Sequence, residues 1–315
     1  MSEIVSKKLL AIVGPTGAGK SRFAIEIAHL IKGEIVSCDS MAVYKGVNIV
    51  TDKVPIEERE NIPHHLYDVA EAGTFFSAGL FRKMALDTIE DIIARNKIPI
   101  LVGGTGLYFR ALVSGMADAP SRDQKLRERL KSIVEKKGIE YLYRILLKMD
   151  KERAKSISPN DKVRIIRALE LRILTKKKFS EIIKHNQNIP ENYSIYKICL
   201  NYPREILYNR IEQRVDKMVQ NGLIEEVRAL YETSKLQGPL SKAIGIKELI
   251  PSFTSGKSYE EAINEVKQHT RNLAKRQLTW FKKEIGLKWL LMIDEYEKEK
   301  VRNEILIWFR RGKDE

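Results

Sequence analysis

Two cysteines, Cys38 and Cys199, are too few for a disulfide framework or a metal cluster, so reduced, buried thiols are expected. Long apolar runs are missing too. Leu9–Val13 and Ile98–Val102 stop far short of the roughly 20 residues that a membrane helix needs. Met1–Lys8 is too short and too polar for a secretion leader, which points to a cytoplasmic protein with no membrane partner. Internal repeats and low-complexity segments are absent as well. Positive charge, by contrast, is abundant: 56 Lys and Arg face 42 Asp and Glu across 315 residues, a formal net charge of +14. Such a chain attracts phosphate in nucleic acid, lipid or small substrates, and only the position of the charge can choose among them.

The hydrophobic pattern alternates between short strands and amphipathic helices. Leu9–Val13, Glu34–Cys38, Ile98–Val102, Tyr193–Leu200 and Trp289–Ile293 read as strands. Between them, Phe23, Ile27, Leu30 and Ile31 make one helical face, and Phe81, Met84, Ala85, Thr88, Ile89 and Ile92 another. Further helices are expected at Arg204–Gln220, from the capping pair Ser258 and Glu261 to about Glu284, and over the charged tail. Alternation of this kind predicts an α/β fold, a parallel sheet flanked by helices. From Arg122 to about Phe179 the period is helical only. The expected organisation is therefore a core in two parts, 1–117 and 193–315, with a mostly α-helical insertion over 118–192.

Gly14-Pro15-Thr16-Gly17-Ala18-Gly19-Lys20-Ser21 matches the P-loop pattern completely and stands between a strand and a helix, as that motif requires. Its glycines let backbone N–H groups turn onto a diphosphate at the helix N-terminus. Lys20 adds a point charge, and the Ser21 hydroxyl is the expected Mg²⁺ ligand. A P-loop NTPase ends an apolar strand in an aspartate that serves the metal. Here Ile98–Val102 runs into Gly103-Gly104-Thr105, and the acid instead follows the second strand, at Asp39-Ser40. Ligands bind at such strand ends, so Asp39 is a candidate general base, with a turn cap or a Mg²⁺ contact as the alternatives. On the helix Arg204–Gln220, Leu207, Ile211, Arg214 and Met218 share one sector, with Arg210 at its edge. An arginine on an apolar face needs a partner, either a structural carboxylate or a diphosphate facing Lys20. Lys267, Arg271, Lys275, Arg276, Lys282 and Lys283 fall in one acid-free stretch interrupted by Trp280 and Phe281. That stretch is either a solvated face with core aromatics or an RNA-binding surface.

Together these segments, with Pro63-His64-His65-Leu66, Pro99–Tyr108, Pro159–Glu170, Ala243–Leu249 and Thr270–Phe281, resemble the bacterial tRNA dimethylallyltransferases along nearly the whole chain. The resemblance implies transfer of a dimethylallyl group from dimethylallyl diphosphate to N6 of the adenosine 3′ to the anticodon. It also implies Mg²⁺, release of diphosphate and the anticodon stem-loop as partner; a monomer is the expected assembly. In that reading the prenyl donor, rather than ATP, occupies the P-loop. Carried over by position, Asp39 is the base, Thr105 bridges the reacting groups, and Arg214 or Arg210 holds the leaving diphosphate. Ser40, Met41 and Ala42 line the adenine site. The implied tRNA contacts are Asp123, Val163-Arg164-Ile165-Ile166-Arg167, Lys242-Ala243-Ile244-Gly245-Ile246-Lys247 and Lys275-Arg276-Gln277-Leu278-Thr279-Trp280-Phe281-Lys282. The chain departs from the family's usual pattern at Ala42-Val43, at Val50-Thr51-Asp52-Lys53 and at Ile246.

Three other readings share parts of this set. A small-molecule kinase also pairs a P-loop with an acid after the second strand, but leaves the helical insertion and the basic helix without a purpose. A cytokinin-type transferase acting on free adenine nucleotides shares the catalytic residues and lacks only the RNA segments. A plain RNA-binding protein has no use for an intact Lys20, Ser21 and Asp39.

Overall fold

Strands buried on both faces read as unbroken apolar runs, and Leu9–Val13 lies at the centre of the sheet for that reason. The structure is a computed structural model that describes residues 7–117, 119–183, 186–187, 189, 192–233, 236 and 238–311. Its elements run β1 (Lys7–Val13), α1 (Lys20–Ile31), β2 (Gly33–Ser37), β3 (His64–His65), α2 (Ala78–Ala94), β4 (Ile98–Gly103) and α3 (Gly106–Val113). Next come β5 (Met116–Ala117), α4 (Gln124–Lys137), α5 (Ile139–Met149), α6 (Lys151–Lys155), α7 (Lys162–Thr175), α8 (Phe179–Ile183) and β6 (Asn186–Gln187). The chain then continues through β7 (Tyr193–Asn201), α9 (Arg204–Gln220), α10 (Leu223–Glu232), α11 (Ile246–Thr254), α12 (Tyr259–Phe281), β8 (Lys288–Leu291) and α13 (Glu295–Arg310). Residues 1–6, at the start of the segment weighed as a leader, lie outside the described residues, as does Asp118 at the expected domain boundary.

The chain divides into two compact units, Met1–Leu112 with Pro190–Glu315, and Val113–Ile189. In the first, six strands pair in parallel in the order β3-β2-β4-β1-β7-β8. Phe23, Ile27 and Ile31 of α1 pack with Leu10, Ile12, Ile100 and Ile198, while Leu30 turns out to solvent. β3 has only two residues, too few to show a period, and was not anticipated from the sequence. Because every strand runs the same way, the carboxyl ends of β1, β2, β4 and β7 gather at one edge, where such sheets place their ligands.

The second unit is a helical cluster around Leu130, Leu142, Leu146, Ile165, Ile166 and Leu169, closed by the two-residue pair β5–β6. Its polar centre is Glu170, fully buried between Arg127 (Nε 2.9 Å from Oε1) and Arg167 (Nη1 2.7 Å from Oε2). Burial alone would raise this carboxyl, but the two arginines and the Asp123 amide outweigh it and hold it below the ordinary range. No helix among the described residues is long and apolar enough to cross a membrane. Cys38 and Cys199 are both buried and unpaired with each other, and burial raises both thiols, Cys199 to about 12.

Candidate active site

The P-loop leaves β1 at Gly14, whose φ of 143° and close approach to the Leu200 carbonyl leave no space for a side chain. The loop then wraps onto the start of α1. Lys20 Nζ donates to the Pro15 carbonyl at 2.7 Å, inside its own loop. Poor solvation, then the Arg214 guanidinium, lower the Lys20 ammonium to about 8, against a smaller opposing pull from Asp39. Gln277, far away in sequence on α12, stitches the loop to the neighbouring strand end. Its Oε1 accepts from Thr16 N at 2.8 Å, and its Nε2 donates to the Gly104 carbonyl at 3.0 Å. The amide lies so close to Gly104 that a side chain there would clash with it. Gln277→Ala should therefore cost about 1–3 kcal/mol of stability for two lost bonds. Chemical denaturation of wild type and variant measures that difference.

At the end of β2, Asp39 Oδ1 accepts from Met41 N at 2.8 Å and Ala42 N at 3.2 Å. It is thus a turn cap, as one alternative had it, but only through one oxygen. Among the described residues no protein group donates to Oδ2, which remains for chemistry. Thr105, after β4, is laced to the same turn: its Oγ1 accepts from Ser40 N at 3.0 Å, and its N–H donates to the Cys38 carbonyl at 3.2 Å. Parallel pairing of β2 with β4 brings these two turns together, although 66 positions separate Asp39 from Thr105.

α9 closes the P-loop from the other side. Leu207 and Ile211 are buried against Gly17, and Arg210 Nε donates to the Gly17 carbonyl at 2.9 Å while its guanidinium lies 4.6 Å from the Tyr202 ring centre. Arg214 is half-buried at the edge of the apolar sector, where Val215 fills the interior position that the wheel assigned to the arginine. Its Nη1 donates to Thr16 Oγ1, and its Nε lies 2.8 Å from Asp52 Oδ2. A structural carboxylate partner thus exists, and the guanidinium still faces the phosphate loop. Asp39, Thr105, Lys20, Arg210 and Arg214 therefore share one sheet edge. Among the described residues no cluster of three metal-ligating side chains accompanies them.

The expected RNA-contacting residues separate by exposure. Lys267 and Arg271 are not free cations, because they pair with Asp216 (2.6 Å) and Glu212 on α9. Lys275, Arg276, Lys282 and Lys283 are exposed. Phe281 is a core residue, edge-on to Phe109 with ring centres 6.0 Å apart, so its ring is closed to base stacking, whereas half-buried Trp280 has Arg110 over one face at 4.5 Å. Leu278 packs on Leu207 and Ile211, and Thr279 Oγ1 returns to the Lys275 carbonyl. In the earlier segment Lys242 and Lys247 are exposed, Ile244 is half-buried, and Ala243, Gly245 and Ile246 are buried. In the helical unit Asp123 caps α4 through Leu126 N at 2.9 Å, and Arg167 is committed to Glu170 and the Pro120 carbonyl. Ile165 and Ile166 are core, whereas Val163 and Arg164 face solvent. Side chains at Ile165, Ile166, Ala243, Ile246 and Phe281 are thus structural rather than RNA-facing. Ala42 is buried beneath the Asp39 turn, and Ser40 and Met41 are half-exposed on it.

Residues 42–284 match the family model described as IPP transferase. The chain is 42% identical over 311 residues to the tRNA dimethylallyltransferase of Geobacillus thermodenitrificans, covering 98% of each chain. It is 43% identical over 294 residues to that of Syntrophomonas wolfei, covering 93% of this chain and 94% of the relative. The crystal structure of the full-length tRNA isopentenylpyrophosphate transferase from Bacillus halodurans superposes with a TM-score of 0.71 at 36% identity, covering 98% of both chains. A eukaryotic dimethylallyltransferase, solved in crystallographic snapshots acting on tRNA, superposes with a TM-score of 0.82 at 33% identity, covering 97% of this chain and 79% of that one.

Proposed function

Because the chain belongs to the IPP transferase family, we propose that it prenylates tRNA by moving a dimethylallyl group from dimethylallyl diphosphate to N6 of an adenosine beside the anticodon. The observation that carries this is the convergence of a diphosphate cradle and an unclaimed carboxylate oxygen on one sheet edge. The donor diphosphate sits on the P-loop amides with Lys20, Arg210 and Arg214 around it. Neutralising the departing charge is the main work, because an allylic diphosphate ionises readily once that charge is held. The adenosine, unstacked from the loop, presents N6 to the prenyl C1. A C–N bond forms as the C1–O bond breaks, the bonding electrons leave with diphosphate, and the N6 proton passes to Asp39 Oδ2. Thr105 keeps the Asp39 turn against the end of β4.

The Ser21 hydroxyl, at the first turn of α1, is a hard oxygen suited to Mg²⁺, an ion that keeps several waters and is commonly held through substrate phosphate oxygens. When bound, Mg²⁺ would supply further neutralisation of the leaving group.

Incubation with unmodified tRNA, dimethylallyl diphosphate and Mg²⁺, followed by mass spectrometry of the nucleosides, tests the proposal. Prenylated adenosine is expected without ATP, and an obligatory ATP requirement would overturn the donor-site reading. The exposed end of α12 carries a second expectation. Reversing Lys275, Arg276, Lys282 and Lys283 should raise the Michaelis constant for tRNA and flatten its log–log salt dependence by roughly three. Reversing Lys267 and Arg271, already paired with Asp216 and Glu212, should alter that slope less. Titrations at several salt concentrations compare the two sets.

A further inference from the structure

Arg214 is fixed at two places. Nη1 donates to Thr16 Oγ1 within the P-loop, and Nε stands 2.8 Å from Asp52 Oδ2, a charge contact whose N–H is not aimed as a hydrogen bond. A planar guanidinium held at Nε and at one Nη has little rotational freedom left. Among the described residues Nη2 donates to no protein group.

Asp52 is itself placed with care. It ends the turn at 49–52, within a loop over residues 47–53 that has three separate anchors. Glu226 of α10 accepts the amides of Asn48 (2.8 Å), Ile49 (2.9 Å) and Val50 (2.8 Å) on its two oxygens. These are charge-assisted bonds, stronger than ordinary loop contacts. The Val50 side chain is buried in a cluster with Leu223, Ala243 and Ile246. Buried Lys53 donates to the Tyr44 carbonyl at 2.7 Å and to Asp68 Oδ1 at 2.6 Å. Asp52 has a φ of 52°, which aspartate tolerates better than most side chains. The turn is therefore rigid, and its carboxylate points to the arginine beside the phosphate loop.

We infer that Asp52 is a positioning residue for the prenyl donor: it holds Arg214 so that the remaining N–H groups face the diphosphate on the P-loop. This rests on reading the P-loop as the donor site. A competing role is possible for any carboxylate beside a phosphate-binding arginine, namely as a placeholder that the diphosphate must displace. The Asp52 and Arg214 side chains are 52% and 26% exposed, and so open a pair attracts only weakly. It is poorly suited to compete with a multiply charged anion, whereas orientation needs little energy. Asp52 contributes geometry.

The test uses Asp52→Gly, which removes the carboxylate and permits the backbone angle, and Asp52→Asn, which keeps the shape and an oxygen facing Nε. Inorganic diphosphate binding is measured by calorimetry, and Michaelis constants are measured for dimethylallyl diphosphate and tRNA. Asp52→Gly should weaken diphosphate binding about threefold to fivefold and raise the donor constant similarly, the upper range for one exposed charge pair. The tRNA constant should stay within about twofold, and Asp52→Asn should lose less than Asp52→Gly. In an Arg214→Ala background, Asp52→Gly should add nothing, since it acts through that arginine. Tighter diphosphate binding by Asp52→Gly would identify a placeholder and overturn the inference, as would binding equal to wild type in both variants. If Asp52→Gly fails to fold, Asp52→Asn decides by the same criteria, with weaker binding supporting the inference and equal or tighter binding ending it. Wild-type protein that binds no diphosphate is a different result: it would overturn the donor-site reading and the inference with it.

Discussion

Asp39→Asn should slow the single-turnover chemical step by about 10²–10⁴-fold, the range expected when a general base is removed. The substitution is clean because of how the carboxyl is used. Oδ1 caps the turn through Met41 N and Ala42 N, and an amide oxygen can accept the same two bonds. The nitrogen then replaces Oδ2, which has no protein donor to lose among the described residues. Stability and tRNA binding should accordingly stay near wild type. Pre-steady-state quench measurements with saturating tRNA read the chemical step directly. A wild-type rate would leave Asp39 as a cap only. Rescue of the variant by excess Mg²⁺ would show a metal contact instead.

Lys20→Met should reduce kcat/KM for the prenyl donor by about 30–4000-fold, from a loss of roughly 2–5 kcal/mol when one member of a desolvated charge pair is deleted. The same residue gives the site a pH signature. Burial and the Arg214 guanidinium lower the free Lys20 to about 8, so it is charged below that pH and neutral above it. A diphosphate prefers the charged form. Wild-type affinity for inorganic diphosphate should hold below pH 8 and fall by up to about tenfold per unit above it. Lys20→Met should bind weakly throughout and show no such fall. Calorimetric titrations from pH 7 to 9.5 separate the two, and a parallel fall in the variant would assign the effect to another group.

The strand–helix alternation and the P-loop between β1 and α1 were legible in the residues alone, because buried strands and amphipathic helices have distinct hydrophobic periods that need no distant partner. Helix α9 was legible over its whole observed span, Arg204–Gln220, since its apolar residues keep a helical period and Gly222 follows closely as a stop. Asp39, Lys20 and Arg214 could be singled out because polar residues at strand ends and on apolar helix faces break a local pattern. What those residues touch was decided only in the tertiary structure. No period in the sequence brings Gln277 to Thr16, joins Thr105 to Ser40 or sets Asp52 against Arg214, since each pair depends on strand order and on how α9 and α12 pack over the sheet. The same packing divided the basic stretch, taking Lys267 and Arg271 into pairs with α9 and leaving Lys275, Arg276, Lys282 and Lys283 exposed. A charge pattern along one helix records which residues can meet phosphate. Which of them remain available depends on the acids that a neighbouring helix brings alongside.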